Sequence, residues 1–138
     1  FSETEIESWR RAPGIELVGH VADVAAFWGG VHIACLPSRG GEGLPRSLLE
    51  AAACGRPIVT TNVPGCRDFV AGGEIGLVVA PDDVTALAAA IDALARDADL
   101  RERKGAAGRK RVISGFTETQ SAAEASKAWR AVTMTLPP

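Results

Sequence analysis

Ser38-Arg39-Gly40-Gly41-Glu42-Gly43-Leu44-Pro45 runs directly into Arg46-Ser47-Leu48-Leu49-Glu50-Ala51-Ala52-Ala53-Cys54-Gly55, and then into Arg56-Pro57-Ile58-Val59-Thr60-Thr61. A glycine-rich loop opens into a helix, and the helix leads through a glycine into a strand. Pro45 suits the first turn of a helix, where no intrahelical amide is needed, and Leu48, Leu49, Ala52 and Ala53 carry the helix to Gly55. Ile58-Val59-Thr60-Thr61 is β-branched throughout and reads as a strand. Upstream of the loop, residues 31–36 are an almost continuous apolar run ended by Pro37, as expected of a strand covered on both faces of a parallel sheet. Downstream, Pro64-Gly65 makes a turn, residues 66–70 allow one helical turn, and Gly76-Leu77-Val78-Val79 is the last strand.

The flanks continue the alternation. Ser2-Glu3-Thr4-Glu5 fits a capping box and predicts a helix to about Arg11, stopped by Pro13-Gly14. Ile15-Glu16-Leu17-Val18 reads as a short strand closed by Gly19, and residues 23–28 as a short helix carrying Val24, Phe27 and Trp28. After the last strand, Asp82 or Asp83 caps a helix whose apolar residues Val84, Leu87, Ala88, Ile91, Leu94 and Ala95 form one stripe against the sheet. A second helix is predicted over about residues 100–113, and a third from Thr117 to about Val132 with Trp129. The fold class is therefore α/β: a Rossmann-like, mostly parallel sheet flanked by helices, with a helical carboxyl-terminal segment. In such sheets crossovers are right-handed and ligands lie at the carboxyl ends of strands.

Composition sets the limits. The 138 residues are 46% hydrophobic and 23% charged, and 15 basic against 17 acidic side chains give a net charge of −2. A chain of this length removes about two-thirds of its unfolded surface from water, enough for one self-supporting domain. The near-neutral balance argues against a nucleic-acid partner, which calls for a basic excess. No window approaches the roughly 20 apolar residues of a membrane span, and residues 1–11 carry no apolar signal core, so the chain reads as cytoplasmic. Cys35, Cys54 and Cys66 are odd in number with no C-x-x-C pair, and read as reduced, with Cys35 and Cys54 as small buried hydrophobes. No metal is expected from that spacing.

The loop-to-helix junction is where chemistry is expected. First-turn amides without intrahelical partners point outward, the helix dipole favours negative charge, and glycines let a phosphate approach the backbone. The loop closes with no Gly-Lys-Ser/Thr and lacks G-x-G-x-x-G spacing, so it is neither a P-loop nor a dinucleotide fingerprint. Glu42 stands at the helix mouth. Glu50 lies about a turn and a half inside, roughly 9 Å beyond Pro45 at 1.5 Å per residue. As a pair they suit hydroxyl groups near a reacting centre and on a ribose, with a diphosphate on the amides between. Taken without that pairing, carboxylates of this kind belong to any helix start.

Glu42-x7-Glu50-Ala51 followed by Gly55-Arg56-Pro57-Ile58-Val59 resembles the signature of family 4 of the retaining glycosyltransferases. The resemblance runs from Glu5 to about Trp129, through Gly19-His20-Val21, Leu36-Pro37-Ser38, Glu42-Gly43-Leu44-Pro45, Val63-Pro64-Gly65-Cys66-Arg67 and Gly108-Arg109. The version with Leu-Pro-Arg after Glu-Gly is similar to bacterial enzymes of capsule, exopolysaccharide and O-antigen assembly. The resemblance implies one half of a GT-B fold: the donor-binding domain spanning residues 1–138, as a fragment without the acceptor domain or the start of its own domain. It implies a catalytic role for Glu42 at the donor sugar and donor-binding roles for Glu50 on the ribose and for Gly41, Gly43 and Leu44 through the backbone. His20, Val21, Pro37 and Ser38 would flank the base and diphosphate.

The co-substrate implied is a UDP- or GDP-linked sugar, with no cofactor and no metal, transferred with retained configuration to a growing or lipid-linked surface glycan. The acceptor would bind through the missing half, and the full enzyme would touch the inner face of the cell membrane peripherally. A nucleotide-sugar epimerase of similar fold and a non-catalytic nucleotide-sugar-binding module remain open alternatives. Other residues read as structural: His32 as packed core, His20 equally as an ordinary strand-end histidine, Arg67 and Asp68 as a mutual pair, and Trp28 and Trp129 as core. Arg46 reads either as reaching a phosphate or as facing solvent. The basic cluster Arg101, Arg103, Lys104, Arg109, Lys110 and Arg111 reads as a solvated helix face.

Overall fold

The computed structural model describes residues 2–41 and 43–116. The helix expected from Thr117, with Trp129, lies outside them. The elements in order are α1 (Glu3–Arg11), α2 (Val24–Gly29), β1 (Ala34–Leu36), α3 (Arg46–Ala53), β2 (Ile58–Thr61), α4 (Pro64–Val70), a 3-10 turn (Ala71–Gly73), β3 (Gly76–Val79), α5 (Val84–Arg96) and α6 (Ala98–Gly115). The three strands pair in parallel in the order β1-β2-β3, with Ala34 opposite Ile58 and Ile58 opposite Gly76. Gly76 permits that second pairing, because a Cβ there would lie 2.2 Å from the Ile58 carbonyl oxygen.

Strand alternation divides the core between two faces. Ala34 and Ile58 pack with Leu48, Ala52, Cys66, Phe69 and Ile75 on the side of α3, α4 and α6. Val59 packs with Ala90 and Leu94 of α5, with Leu77 and Val79 beside it. Leu48, Ile58, Phe69, Ile75 and Leu94 are fully buried, each contributing about 1.5–3 kcal/mol relative to an exposed side chain.

Helix starts follow the sequence closely. Ser2 and Glu5 form the full capping box of α1, with Ser2 N–H donating to Glu5 Oε2 at 2.8 Å. That backbone bond and then the Ser2 hydroxyl hold the Glu5 carboxyl below its usual pKa. Asp23 and Asp83 cap α2 and α5 by accepting from Ala26 and Ala86 N–H.

Several expectations fail. Of the apolar run 31–36, only Ala34–Leu36 forms a strand. Residues 15–18 form no strand, and Ile15, Leu17 and Val18 are about half exposed. A strand needs a neighbour to satisfy its amides, and the described sheet offers it none. His32 and Cys35 are exposed rather than packed: His32 precedes β1, at the amino end of the sheet beside Arg56 and Pro57, and α5 lies over β2 and β3, leaving the Cys35 face of β1 open. Cys54 is only partly buried, in the turn that closes α3. The α5 stripe is rotated: Leu87, Ala90, Ile91 and Leu94 meet the sheet, while Val84, Ala88 and Ala95 are exposed.

Candidate functional site

β1 ends at Leu36, and the chain leaves the sheet through Pro37 and Ser38. Two buried threonines of β2 fix this exit. Thr60 Oγ1 donates to the Leu36 carbonyl at 2.8 Å, and Thr61 Oγ1 donates to the Ser38 carbonyl. Arg39 then reaches across to Asp82, Nε to Oδ1 at 2.8 Å, between two exposed side chains. Gly40 and Gly41 follow at φ +140° and +74°, angles side-chain-bearing residues rarely adopt, with open space where a Cβ would stand. The loop enters α3 at Pro45, which supplies no side-chain cap to the first-turn amides.

The sequence-derived site residues divide into two groups. Pro37, Ser38, Gly41, Gly43 and Leu44 lie along one continuous loop from β1 to α3, with Gly41, Gly43 and Leu44 exposed and Ser38 half-buried. Glu50 follows on α3, its side chain 31% exposed, and accepts from Arg46 Nε at 2.9 Å. Arg46 therefore folds back along its own helix onto Glu50. His20 is exposed and Val21 half-buried on the irregular segment before α2, outside the sheet. Glu42 lies outside the described residues.

Beside the loop, a cleft of about 700 Å³ opens at the carboxyl ends of the strands, lined by Pro37, Arg39, Thr61, Val79, Asp82 and Leu87 among others. The volume falls within the range of small-molecule sites. Of the described sequence candidates only Pro37 lines it. Asp82 enters it from a left-handed conformation, φ +62°, which Asp tolerates better than most residues. Arg39, Thr61 and Asp82 were missed as neighbours because nothing in the local pattern shows residue 39 meeting residue 82.

The amino ends of the strands are packed more tightly, around a smaller groove of about 330 Å³ lined by His32, Arg56 and Glu102 among others. Gly105 of α6 packs so tightly on Gly55 that a Cβ would lie 2.1 Å from the Gly55 carbonyl oxygen. Four cations of the α6 cluster cap other helices and turns, while Arg103 and Lys110 are exposed. Arg101 Nη1 donates to the Leu94 and Ala95 carbonyls, both at 2.7 Å, and Arg109 Nη1 to Ala53 at 2.8 Å. Lys104 Nζ donates to Gly73 at 2.6 Å and Arg111 Nη2 to Asp68 at 3.3 Å. Cations at carbonyl-rich helix ends satisfy orphan acceptors and oppose the dipole's negative end. Arg67 pairs with Asp68 at 3.2 Å, as expected, and also donates to Asn62.

A parallel α/β sheet flanked by helices, with a cleft and a glycine loop at its carboxyl ends, defines a Rossmann-like domain. More narrowly, the chain belongs to the family described as glycosyl transferases group 1, whose profile matches residues 2–97. It is 38% identical over 105 residues to the capsular polysaccharide biosynthesis glycosyltransferase CapM of Staphylococcus aureus, covering 76% of this chain and 27% of that protein. Its fold matches sucrose-phosphate synthase from Thermosynechococcus elongatus with a TM-score of 0.84 at 26% identity, over 97% of this chain and 34% of that one. It also matches the Anabaena protein HepE, solved in complex with UDP, with a TM-score of 0.80 at 19% identity, over 93% and 34%. The fold is thus one found in GT-B glycosyltransferases, and the chain spans about a quarter to a third of the length of these proteins. Among the described residues no helix is long and apolar enough to cross a membrane.

Proposed function

We propose that this chain is the donor-binding part of a longer glycosyltransferase that moves a sugar from a UDP- or GDP-linked donor to a growing or lipid-linked bacterial surface glycan. The observation that carries the reading is the placement of Glu50 on α3, directly behind a glycine loop rooted at the carboxyl end of β1. A ribose hydroxyl pair on Glu50 would leave the diphosphate beside the amides of Gly41, Gly43 and Leu44 and the uncapped start of α3. Arg46, already on Glu50, would share its carboxylate with the ribose. Pro37 and Ser38 flank the base and diphosphate at the strand end, with His20 and Val21 approaching from the segment before α2.

In this reading Glu42 contacts the donor sugar's hydroxyls. The departing diphosphate is stabilised by backbone amides and the helix dipole, charge stabilisation that needs no metal. Transfer retains the anomeric configuration, and a second domain of the longer polypeptide supplies the acceptor, so the chain alone binds donor without turning it over. The protein works in the cytoplasm, with peripheral contact at the inner membrane face. The UDP in the HepE complex and the capsular role in CapM's name both support this direction. Glu50→Ala should weaken UDP or GDP binding at least tenfold, about 1.4 kcal/mol, measured by calorimetric titration, with little change in Tm. Unchanged affinity would remove the reading.

A further inference from the structure

The loop between β1 and α3 has to present backbone groups at fixed positions, yet Gly40 and Gly41 leave it two of the least restricted joints a chain can have. Its positioning must then come from its root. Thr60 and Thr61 are 0% and 3% exposed, neighbours on β2 whose side chains leave opposite faces of the sheet. A valine would fill either place with less cost, since a buried hydroxyl without a partner is destabilising by about 1–3 kcal/mol. Both hydroxyls are instead turned toward β1, onto the carbonyls of Leu36 and Ser38. The Leu36 carbonyl also accepts from Ser38 N–H at 3.0 Å, so one small network holds the last strand residue and the first loop residues together. Thr61 also lines the 700 Å³ cleft, which places its bond at the junction of cleft and loop.

We infer that Thr61, supported by Thr60, is a positioning residue for donor binding: its hydroxyl fixes the direction in which the glycine loop leaves the sheet, and with it the amides of Gly41, Gly43 and Leu44. This rests on the donor-binding reading for its functional half alone. The Arg39–Asp82 pair joins residues farther apart in the chain, 43 positions against 23 for Thr61 and Ser38, but is exposed on both sides, where solvent and salt screen it. The buried hydroxyl and not the exposed ion pair carries the positioning.

The test has a ligand-free and a ligand-bound arm. In 15N relaxation without ligand, Thr61→Val should lower the order of Ser38 to Leu44 while the amides of β2 and β3 keep wild-type values, and Thr61→Ser should restore it. In titration with UDP and GDP, Thr61→Val should weaken binding three- to tenfold, Thr61→Ser by less than twofold, and Asp82→Asn by less than twofold. A Thr61→Val loop as ordered as wild type overturns the inference, as does loss of order spread over the whole sheet. Should Thr61→Val fail to fold, Thr61→Ala read in the same way decides. If the loop loosens as expected but wild-type chain binds neither nucleotide, the tether stands and the donor reading falls. Equal nucleotide affinity in wild type and Thr61→Val leaves the donor reading and removes the role of Thr61.

Discussion

At the amino ends of β2 and β3 the Gly55 carbonyl oxygen occupies the place where a Cβ on Gly105 would lie, whereas at the carboxyl ends Gly40 and Gly41 have nothing within 4 Å of theirs. The same residue type serves opposite ends of one sheet for different reasons. At the base, glycine allows α6 to touch the turn after α3 backbone to backbone, and Arg101, Lys104 and Arg109 then cap the carbonyls that converge there. At the rim, glycine allows a left-handed turn in open space.

Gly105→Ala should have the largest effect on stability. The atom in the way is backbone and cannot rotate aside, so overpacking should cost about 2 kcal/mol despite the better helix propensity of alanine, read as a lower midpoint in urea. Gly43→Ala at the rim, with an ordinary φ and open space, should change the midpoint by no more than about 0.5 kcal/mol. Equal effects at the two positions would break the contrast between base and rim. Next comes Lys104→Met, which keeps the stem but removes the bond to the Gly73 carbonyl ahead of β3. A loss of about 1 kcal/mol is expected, with no change in nucleotide affinity; a change in affinity would mean that the base also serves the ligand.

The smallest effect concerns α1, which buries no residue and belongs to neither end. The Ser2 amide and hydroxyl hold the Glu5 carboxyl below its unfolded value. A depressed pKa contributes stability that is present above the unfolded value and lost as pH falls through the lower folded one. Acidification should therefore fray the first turn of α1 before the sheet responds, seen as amide shifts at Glu3 to Ser8 moving toward coil values. An α1 that persists until the whole domain unfolds would show that the cap is not what holds it.

Local signals were legible and long-range ones were not. β2 and β3 fall on the residues the pattern indicates, and Ser2, Asp23 and Asp83 cap the expected helices, because strands of β-branched residues and capping side chains act over three or four positions. Residues 15–18 have a strand's composition without a strand partner among the described residues. Cys35 and His32 sit in an apolar run, yet the burial of Cys35 depended on how far α5 extends across the sheet and that of His32 on where β1 begins, which no local pattern states. Arg103 and Lys110 are solvent-facing as the pattern indicates, but Arg101, Lys104, Arg109 and Arg111 looked the same only because their carbonyl acceptors lie on α3, α4, α5 and the turn before β3. At the site, the loop and Glu50 were visible as motif, while Arg39, Thr61 and Asp82 came together only through the fold.

The most direct measurement is an amide-shift titration of the wild-type chain with UDP and with GDP, comparing rim and base in one spectrum. Shifts confined to Ser38, Gly41, Gly43, Leu44 and the first turns of α3 are expected with one of the two nucleotides. Shifts centred instead on the amino-end groove of about 330 Å³ around His32, Arg56 and Glu102, or none at either end, would contradict a donor site at the carboxyl ends of the strands.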